Sequence, residues 1–77
     1  MESHVQIKLF AGLQQFAPPS SESYRIEPGI KISNLLEQLK IPKEKAKLVF
    51  INGIIAEHTT ILNGGERIGI FPPVGGG

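Results

Sequence analysis

The 77-residue chain contains no cysteine. This absence excludes disulfide bonds, thiolate metal ligands and cysteine nucleophiles. A chain of this length is expected to form one small domain, in which folding buries about 60% of the surface that the unfolded form exposes. Small domains without disulfides are more typical of the cytosol than of the secretory pathway, so the sequence predicts a cytoplasmic protein.

The chain also lacks a strong charge of either sign and any long apolar run. Eight basic and seven acidic residues give a formal net charge of +1, which leaves no electrostatic footprint for nucleic acid. No apolar run approaches the ~20 residues of a membrane span, and the N-terminal residues do not have the pattern of a signal peptide. We therefore expect neither a nucleic-acid partner nor a membrane association.

No internal motif indicates an active site, a metal site or a bound cofactor. His4 and His58 are far apart in the sequence, so two surface histidines are a simpler interpretation than a metal pair. Gly64-Gly65 lacks the surrounding strand–glycine–helix order and the Lys-Ser/Thr pair of a phosphate loop. No Ser/His/Asp arrangement has a spacing that suggests a nucleophile. Nothing internal therefore resembles an active site, and the C-terminal stretch is the chemically distinctive feature of the sequence.

Apolar residues follow patterns that predict both strands and a helix. Five segments have the alternation or the short apolar runs of strands: residues 5–10, 23–27, 48–51, 54–56 and 66–71. The run at 48–51 is continuous, which is typical of a strand buried within a sheet. The Asn52-Gly53 pair after it is a strong signal for a hairpin turn. Residues 11–16 are predicted to form a short helical turn, and residues 59–62 an irregular segment.

One helix is predicted at residues 33–40, because four apolar residues recur at helical spacing: Ile32, Leu35, Leu36 and Leu39. Ser33 or Asn34 can supply a capping oxygen near its start, and Pro42 marks its end. A single helix cannot cover both faces of a sheet. The sequence therefore predicts an α+β domain with one sheet face left open.

The ending Phe71-Pro72-Pro73-Val74-Gly75-Gly76-Gly77 is the most distinctive stretch of the sequence. The two prolines end strand pairing and keep the chain extended. The glycines have no side chains, so their backbone can enter a narrow slot in a partner protein. A frayed tail or a cloning remnant is the alternative interpretation, and the composition of the tail alone does not decide between them.

The pattern as a whole resembles the MoaD/ThiS family of small sulfur carriers. Residues 5–11 resemble its first strand, and the leucines of the predicted helix resemble its helix. Phe50-Ile51-Asn52-Gly53 is similar to the V-N-G turn of the family, and residues 64–68 are similar to its G-D-E-V stretch. The ending is close to the F-P-P-V-x-G-G of MoaD, the small subunit of molybdopterin synthase. Three residues depart from the pattern: Gly65 replaces the usual Asp, Lys31 stands where a Thr often caps the helix, and Gly75 makes a triple glycine that is more like ThiS.

This resemblance implies a β-grasp (ubiquitin-like) fold, in which a mixed sheet of about five strands carries one main helix on one face. Residues 1–72 would form the domain, and residues 73–77 a flexible C-terminal Gly-Gly tail. The family consists of carrier proteins that bind no cofactor of their own. The chain would then act only together with other proteins, as the small subunit of molybdopterin synthase.

The resemblance also implies the chemistry and the partners. An E1-like (MoeB-like) adenylyltransferase would use ATP to adenylate Gly77, and a sulfur donor protein would supply the sulfur of a thiocarboxylate. Gly76 would be needed for access to the activating site. The large subunit of molybdopterin synthase (MoaE-like) would receive the tail and pass the sulfur to a cyclic pyranopterin monophosphate.

Partner binding is expected from large apolar residues that the alternation places away from the helix-covered core, and from the tail: Phe10, Ile54, Phe71, Pro72, Pro73, Val74 and Gly75. Phe10 and Phe71 could instead pack on the sheet edge or under a loop. Three further functional alternatives remain open at this point. The chain could be a ThiS-like carrier for thiamin thiazole synthesis or a ubiquitin-like modifier of lysines, or it could be an interaction module with an inert tail.

Overall fold

The computed structural model describes residues 3–73, which form one sheet of five strands with a helix on one face. The elements follow one another along the chain as β1 (Ser3–Leu9), β2 (Tyr24–Ile26), β3 (Ile30–Lys31), α1 (Ile32–Leu39), β4 (Leu48–Ile51), β5 (Ile54–Ala56), β6 (Ile61–Leu62) and β7 (Arg67–Phe71). Short 3₁₀ helices lie at Ala11–Phe16, Ser21–Ser23 and Lys43–Lys45. The predicted helical turn at residues 11–16 and all five predicted strands are present.

The five-stranded sheet has the order β2-β1-β7-β4-β5. The first and last strands, β1 and β7, are parallel neighbours at its centre, and the other pairs are antiparallel. This mixed sheet with one main helix is the β-grasp architecture, so the predicted fold class is confirmed. Within residues 3–73, no helix is both long and apolar enough to cross a membrane.

The hydrophobic core lies between α1 and one face of the sheet. The helix buries all four of its predicted apolar residues, and the sheet contributes side chains from its three central strands: Val5, Ile7, Leu9, Val49, Ile68 and Ile70. The helix begins one residue before the predicted start. Asn34 Oδ1 accepts a hydrogen bond from the backbone N–H of Lys31 (3.0 Å), so the side chain of Asn34 satisfies a backbone donor at the helix start.

Two local predictions were wrong in part. Residues 59–62 are not irregular throughout, because Ile61 and Leu62 pair with β3 in a second, two-stranded sheet. Such a pair is too short to show alternation in the sequence. The strand β4 lies within the sheet, between β7 and β5, as predicted, but it is buried on one face only, since Leu48 is exposed and Phe50 is half-buried. Its continuous apolar run therefore does not indicate cover on both faces. Instead, β4 contributes the side chains of Leu48 and Phe50 to the sheet face that the helix leaves open.

The Asn52-Gly53 turn fixes the register of β4 and β5. Both residues have positive φ angles, 54° and 85°, as a two-residue type I′ turn requires. Ile51 and Ile54 are therefore directly opposite each other. The turn is also joined to β7, because Asn52 Oδ1 accepts a hydrogen bond from the N–H of Arg67 (3.0 Å) and the N–H of Asn52 donates to the Arg67 carbonyl (2.8 Å).

The Gly64-Gly65 turn leads the chain into β7. The Glu66 carboxylate accepts hydrogen bonds from the backbone N–H groups of Asn63 and Gly64, both at 2.8 Å. Gly64 has a φ of +118°, and a Cβ added there would lie 2.8 Å from the Cβ of Ser3. Gly65 also has a positive φ (+86°), but an added Cβ would meet no atom within 4 Å. Only Gly64 is therefore restricted both by its backbone conformation and by a neighbour.

The two glycines allow a matched test of this turn. We expect Gly64→Ala to lower the free energy of unfolding by about 2–4 kcal/mol, because strain at positive φ and the contact with Ser3 add together. Gly65→Ala introduces only the strain at positive φ and should lower the free energy of unfolding by about 1–2 kcal/mol. Urea unfolding of both variants measures the difference. Equal costs would show that the close approach to Ser3 does not limit the fold.

Candidate functional site

The open face of the sheet is the side that α1 does not cover. Directly paired residues on neighbouring strands have side chains on the same face, so the register shows which residues belong to it. Gly69 of β7 lies opposite Lys8 of β1 and Phe50 of β4. Phe71 of β7 lies opposite Leu48. The residues that alternate with these along each strand form the core face.

Three phenylalanine rings meet on the open face and form the aromatic cluster, which we define as Phe10, Phe50 and Phe71. The rings of Phe10 and Phe71 are stacked, with centroids 4.1 Å apart and an interplanar angle of 3°. Phe50 meets Phe71 edge to face, at a centroid distance of 5.5 Å and an angle of 78°. All three residues are half-buried. Phe71 is the central member, because it contacts both of the other rings.

Local backbone structure positions Phe10 over the last strand. Its N–H donates to the carbonyl of Ile70 (3.1 Å), which extends the pairing of β1 with β7 by one residue. Ala11 then turns the chain away with a φ of +53°. This conformation is unfavourable for alanine by about 1–2 kcal/mol. The Ala11–Phe16 3₁₀ helix that follows is held to the core by the buried side chain of Leu13.

Glycine at position 69 leaves room for the Phe10 ring. A Cβ added at Gly69 would lie 3.5 Å from Cε2 of Phe10 and 4.0 Å from Cε1 of Phe71. An alanine methyl group would therefore be in ordinary van der Waals contact with both rings, whereas a larger side chain would compete with the Phe10 ring for the space above Gly69. A shallow depression of about 680 Å³ continues from the cluster across the open face. Its lining includes two cationic residues, Lys8 and Arg67, and one acidic residue, Glu22.

Three large apolar residues of the sheet were predicted to bind a partner. The structure brings two of them together and places the third elsewhere. Phe10 and Phe71 share one patch, as expected for residues on adjacent first and last strands. Ile54 is exposed (71%), but its assignment to the same face was wrong. The two-residue turn places Ile54 opposite Ile51, on the helix side of the sheet, and a shift of one residue reverses the face. Ile55, opposite Phe50, is the residue of β5 on the open face.

The tail begins next to the aromatic cluster. The carbonyl of Phe71 accepts a hydrogen bond from the N–H of Lys47 (3.0 Å) and so fixes the end of β7. Pro72 is half-buried and Pro73 is exposed. The remaining predicted site residues lie outside the described residues: Val74, Gly75, Gly76 and Gly77. Their roles, and the proposed boundary between domain and tail at residue 73, stay predictions.

Phe50 was missed because the apolar run at residues 48–51 was interpreted as a strand buried within the sheet, and Ile55 was missed because Ile54 was assigned to the open face. A signal was available in the sequence. One helix covers one sheet face, so alternate residues of such a run must lie on the open side. With Val49 directed to the core, Phe50 belongs to the open face. Within residues 3–73, no group of three or more side chains could hold a metal ion.

The sequence profile of the ThiS family matches residues 7–77, which is nearly the whole chain. The chain belongs to the ThiS family. ThiS/MoaD-like proteins are small sulfur carriers with a ubiquitin-like fold and are not enzymes themselves. No curated protein matches the sequence significantly.

Solved structures with the same fold include a candidate molybdopterin converting factor, subunit 1, from Pyrococcus furiosus. It is 26% identical, with a TM-score of 0.64 over 94% of this chain and 99% of its own. Small archaeal modifier protein 1 of Haloferax volcanii is 24% identical, with a TM-score of 0.66 over 94% of this chain and 99% of its own. The Haloferax volcanii HVO 2177 protein is 19% identical, with a TM-score of 0.76 over 99% of this chain and 88% of its own. At these identities, the two haloarchaeal likenesses show the fold alone.

The central position of Phe71 leads to a graded prediction for stability. Phe71→Ala removes contacts with two rings and should lower the free energy of unfolding by about 2–3 kcal/mol. Phe10→Ala removes one ring contact and should cost about 1–2 kcal/mol. Ile54→Ala, at an exposed control position, should stay within about 0.5 kcal/mol of the original protein. Denaturant unfolding tests this order. A cost of about 3–5 kcal/mol for Phe10→Ala would identify Phe10 as a core residue.

Proposed function

We propose that this chain carries sulfur as a thiocarboxylate on Gly77 and donates it to molybdopterin dithiolene synthesis as the small subunit of molybdopterin synthase. One observation carries the proposal. The F-P-P-V-G-G-G ending starts at Phe71, the central ring of the aromatic cluster. A docking surface and a slender reactive tail are therefore adjacent. The 26% identity to the Pyrococcus furiosus protein is consistent with this pathway.

The chemistry requires activation by a partner, because a free carboxylate is a poor electrophile. An E1-like adenylyltransferase supplies it. A carboxylate oxygen of Gly77 attacks the α-phosphorus of ATP, pyrophosphate leaves, and an acyl-adenylate forms. A sulfide-level nucleophile from a sulfur donor protein then attacks the carbonyl carbon, and AMP leaves. The product is a thiocarboxylate whose sulfur is transferred to the pterin substrate in the large subunit.

The chain itself contributes docking, reach and access. Half-buried aromatic residues are common anchors of protein interfaces, and the aromatic cluster offers three at the start of the tail. Pro72 and Pro73 restrict the free chain, so less entropy is lost when a partner orders the tail. The glycines after them have no side chains and allow the backbone to enter a narrow active-site channel.

A thiazole-pathway carrier is the second candidate function. The triple glycine created by Gly75 is more like ThiS than like MoaD, and it is the feature of this sequence that favours this candidate. A ubiquitin-like modifier would use the same adenylated glycine to form an isopeptide bond. Genes adjacent to this one discriminate among the three pathways, since molybdopterin, thiamin and modifier systems each use different acceptor proteins.

The proposed reaction predicts that Gly77 is indispensable and that Gly76 must stay small. Deletion of Gly77 or the change Gly76→Leu should leave folding intact and abolish thiocarboxylate formation. Intact-protein mass spectrometry, after incubation with ATP, the activating enzyme and sulfide, detects the exchange of one oxygen for sulfur. Gly12→Leu is the matched control, because an added Cβ at Gly12 meets no atom within 4 Å. A normal thiocarboxylate yield from the protein that lacks Gly77 would contradict the proposal.

The docking role predicts a loss of affinity for the large subunit. Phe10→Ala and Phe71→Ala should each weaken binding by on the order of 1–2 kcal/mol, because each removes an aromatic anchor. Calorimetric titration measures the affinity. Ile54→Ala is the control on the opposite face of the sheet, and its affinity should be unchanged. A larger loss for Ile54→Ala than for Phe10→Ala would place the interface on the helix side.

A further inference from the structure

The open face is basic, although the chain as a whole is nearly neutral. In the five strands of the main sheet, the side chains that share the face of the aromatic cluster include three formally charged ones, Lys8, Arg25 and Arg67, and all are basic. The acidic residues of the described chain lie elsewhere, on loops, on 3₁₀ helices and on α1. Glu22, in the Ser21–Ser23 3₁₀ helix, is the acidic residue among those that line the depression.

Two of these cations have no partner within residues 3–73. Lys8 and Arg67 are exposed, and neither side chain forms an ion pair or a hydrogen bond in the described part of the chain. Glu22 lines the same depression but forms no ion pair with either cation within residues 3–73. Exposed charges of this kind add little to the stability of the fold. Unpaired charges beside an apolar patch are typical of surfaces that recognise a charged partner.

Arg67 and Phe71, the central ring of the aromatic cluster, occupy opposite ends of β7. Arg67 begins β7 and Phe71 ends it, so the two positions are about 13 Å apart at the rise of an extended strand. Lys8 lies opposite Gly69, between them. A partner that contacts both ends must lie along the strand.

We propose that the open face binds a protein surface with an apolar centre, which packs on the aromatic cluster, and with carboxylates that meet Lys8 and Arg67. The inference rests on the proposed function, because it assigns the chemistry of the partner surface that receives the carrier. The aromatic cluster supplies most of the affinity. The two cations accelerate association and orient the tail toward the active site of the partner.

The charge of the open face and of the whole chain argues against two other binding partners, a second copy of the chain and a nucleic acid. A second copy of the chain would bring two basic faces together, and like charges at an interface are strongly unfavourable. A nucleic acid would satisfy the cations. However, nucleic-acid binding domains present a large basic surplus, whereas this chain has a net charge of +1.

Charge reversal at the two cations tests the inference. Lys8→Glu and Arg67→Glu should each slow association with the activating enzyme or the large subunit about tenfold at about 50 mM salt. The difference should nearly vanish at about 500 mM salt, where screening removes long-range attraction. Lys31→Glu is the matched control, since Lys31 is exposed and lies in the two-stranded sheet. Stopped-flow measurements supply the rates, and Phe10→Ala should instead accelerate dissociation at both salt concentrations.

Unchanged association rates for Lys8→Glu and Arg67→Glu, with normal thiocarboxylate formation and partner binding, overturn this inference and leave the proposed function standing. Failure of the original protein to bind either partner at low salt overturns both. Binding of a single-stranded polyuridine at an affinity similar to that for the two proteins assigns the cations to nucleic acid and also overturns the inference.

Discussion

The parallel pairing of β1 with β7 is the contact on which the functional surface depends. It joins segments from the two ends of the sequence at the centre of the sheet. On the core face it aligns Ile7 with Ile68 and Leu9 with Ile70, and these buried pairs fix the register. On the open face the same register sets the ring of Phe10 against Phe71. One set of backbone hydrogen bonds therefore organises both the core and the candidate docking surface.

Much of this architecture could be predicted from the residues. Period-two and period-3.6 patterns are set by backbone geometry, so β1, β7 and α1 were visible in the sequence. The Asn52-Gly53 turn could be predicted because few residues tolerate two successive positive φ angles. The family resemblance depended on the ending at residues 71–77, which combines proline, the residue that restricts the backbone most, with glycine, the residue that restricts it least.

The rest required three-dimensional information. The pairing of Ile61 and Leu62 with β3 depends on contacts between distant short segments, and four residues have no periodicity to detect. Ile54 was assigned to the wrong face because the sequence shows that a hairpin exists more clearly than it shows its register. Phe50 was missed for a related reason. Burial depends on how many layers cover a strand, which hydrophobicity alone does not reveal.

The aromatic cluster is assembled from residues 10, 50 and 71, which are distributed over almost the entire chain. Contacts between such distant residues form late, because long loops must close before the contacts can stabilise the fold. During synthesis, Phe10 and Phe50 are both added to the chain before Phe71. A nascent or truncated chain therefore cannot present the complete cluster. A partner that recognises all three rings selects finished, folded molecules, and incomplete chains do not compete for its binding site.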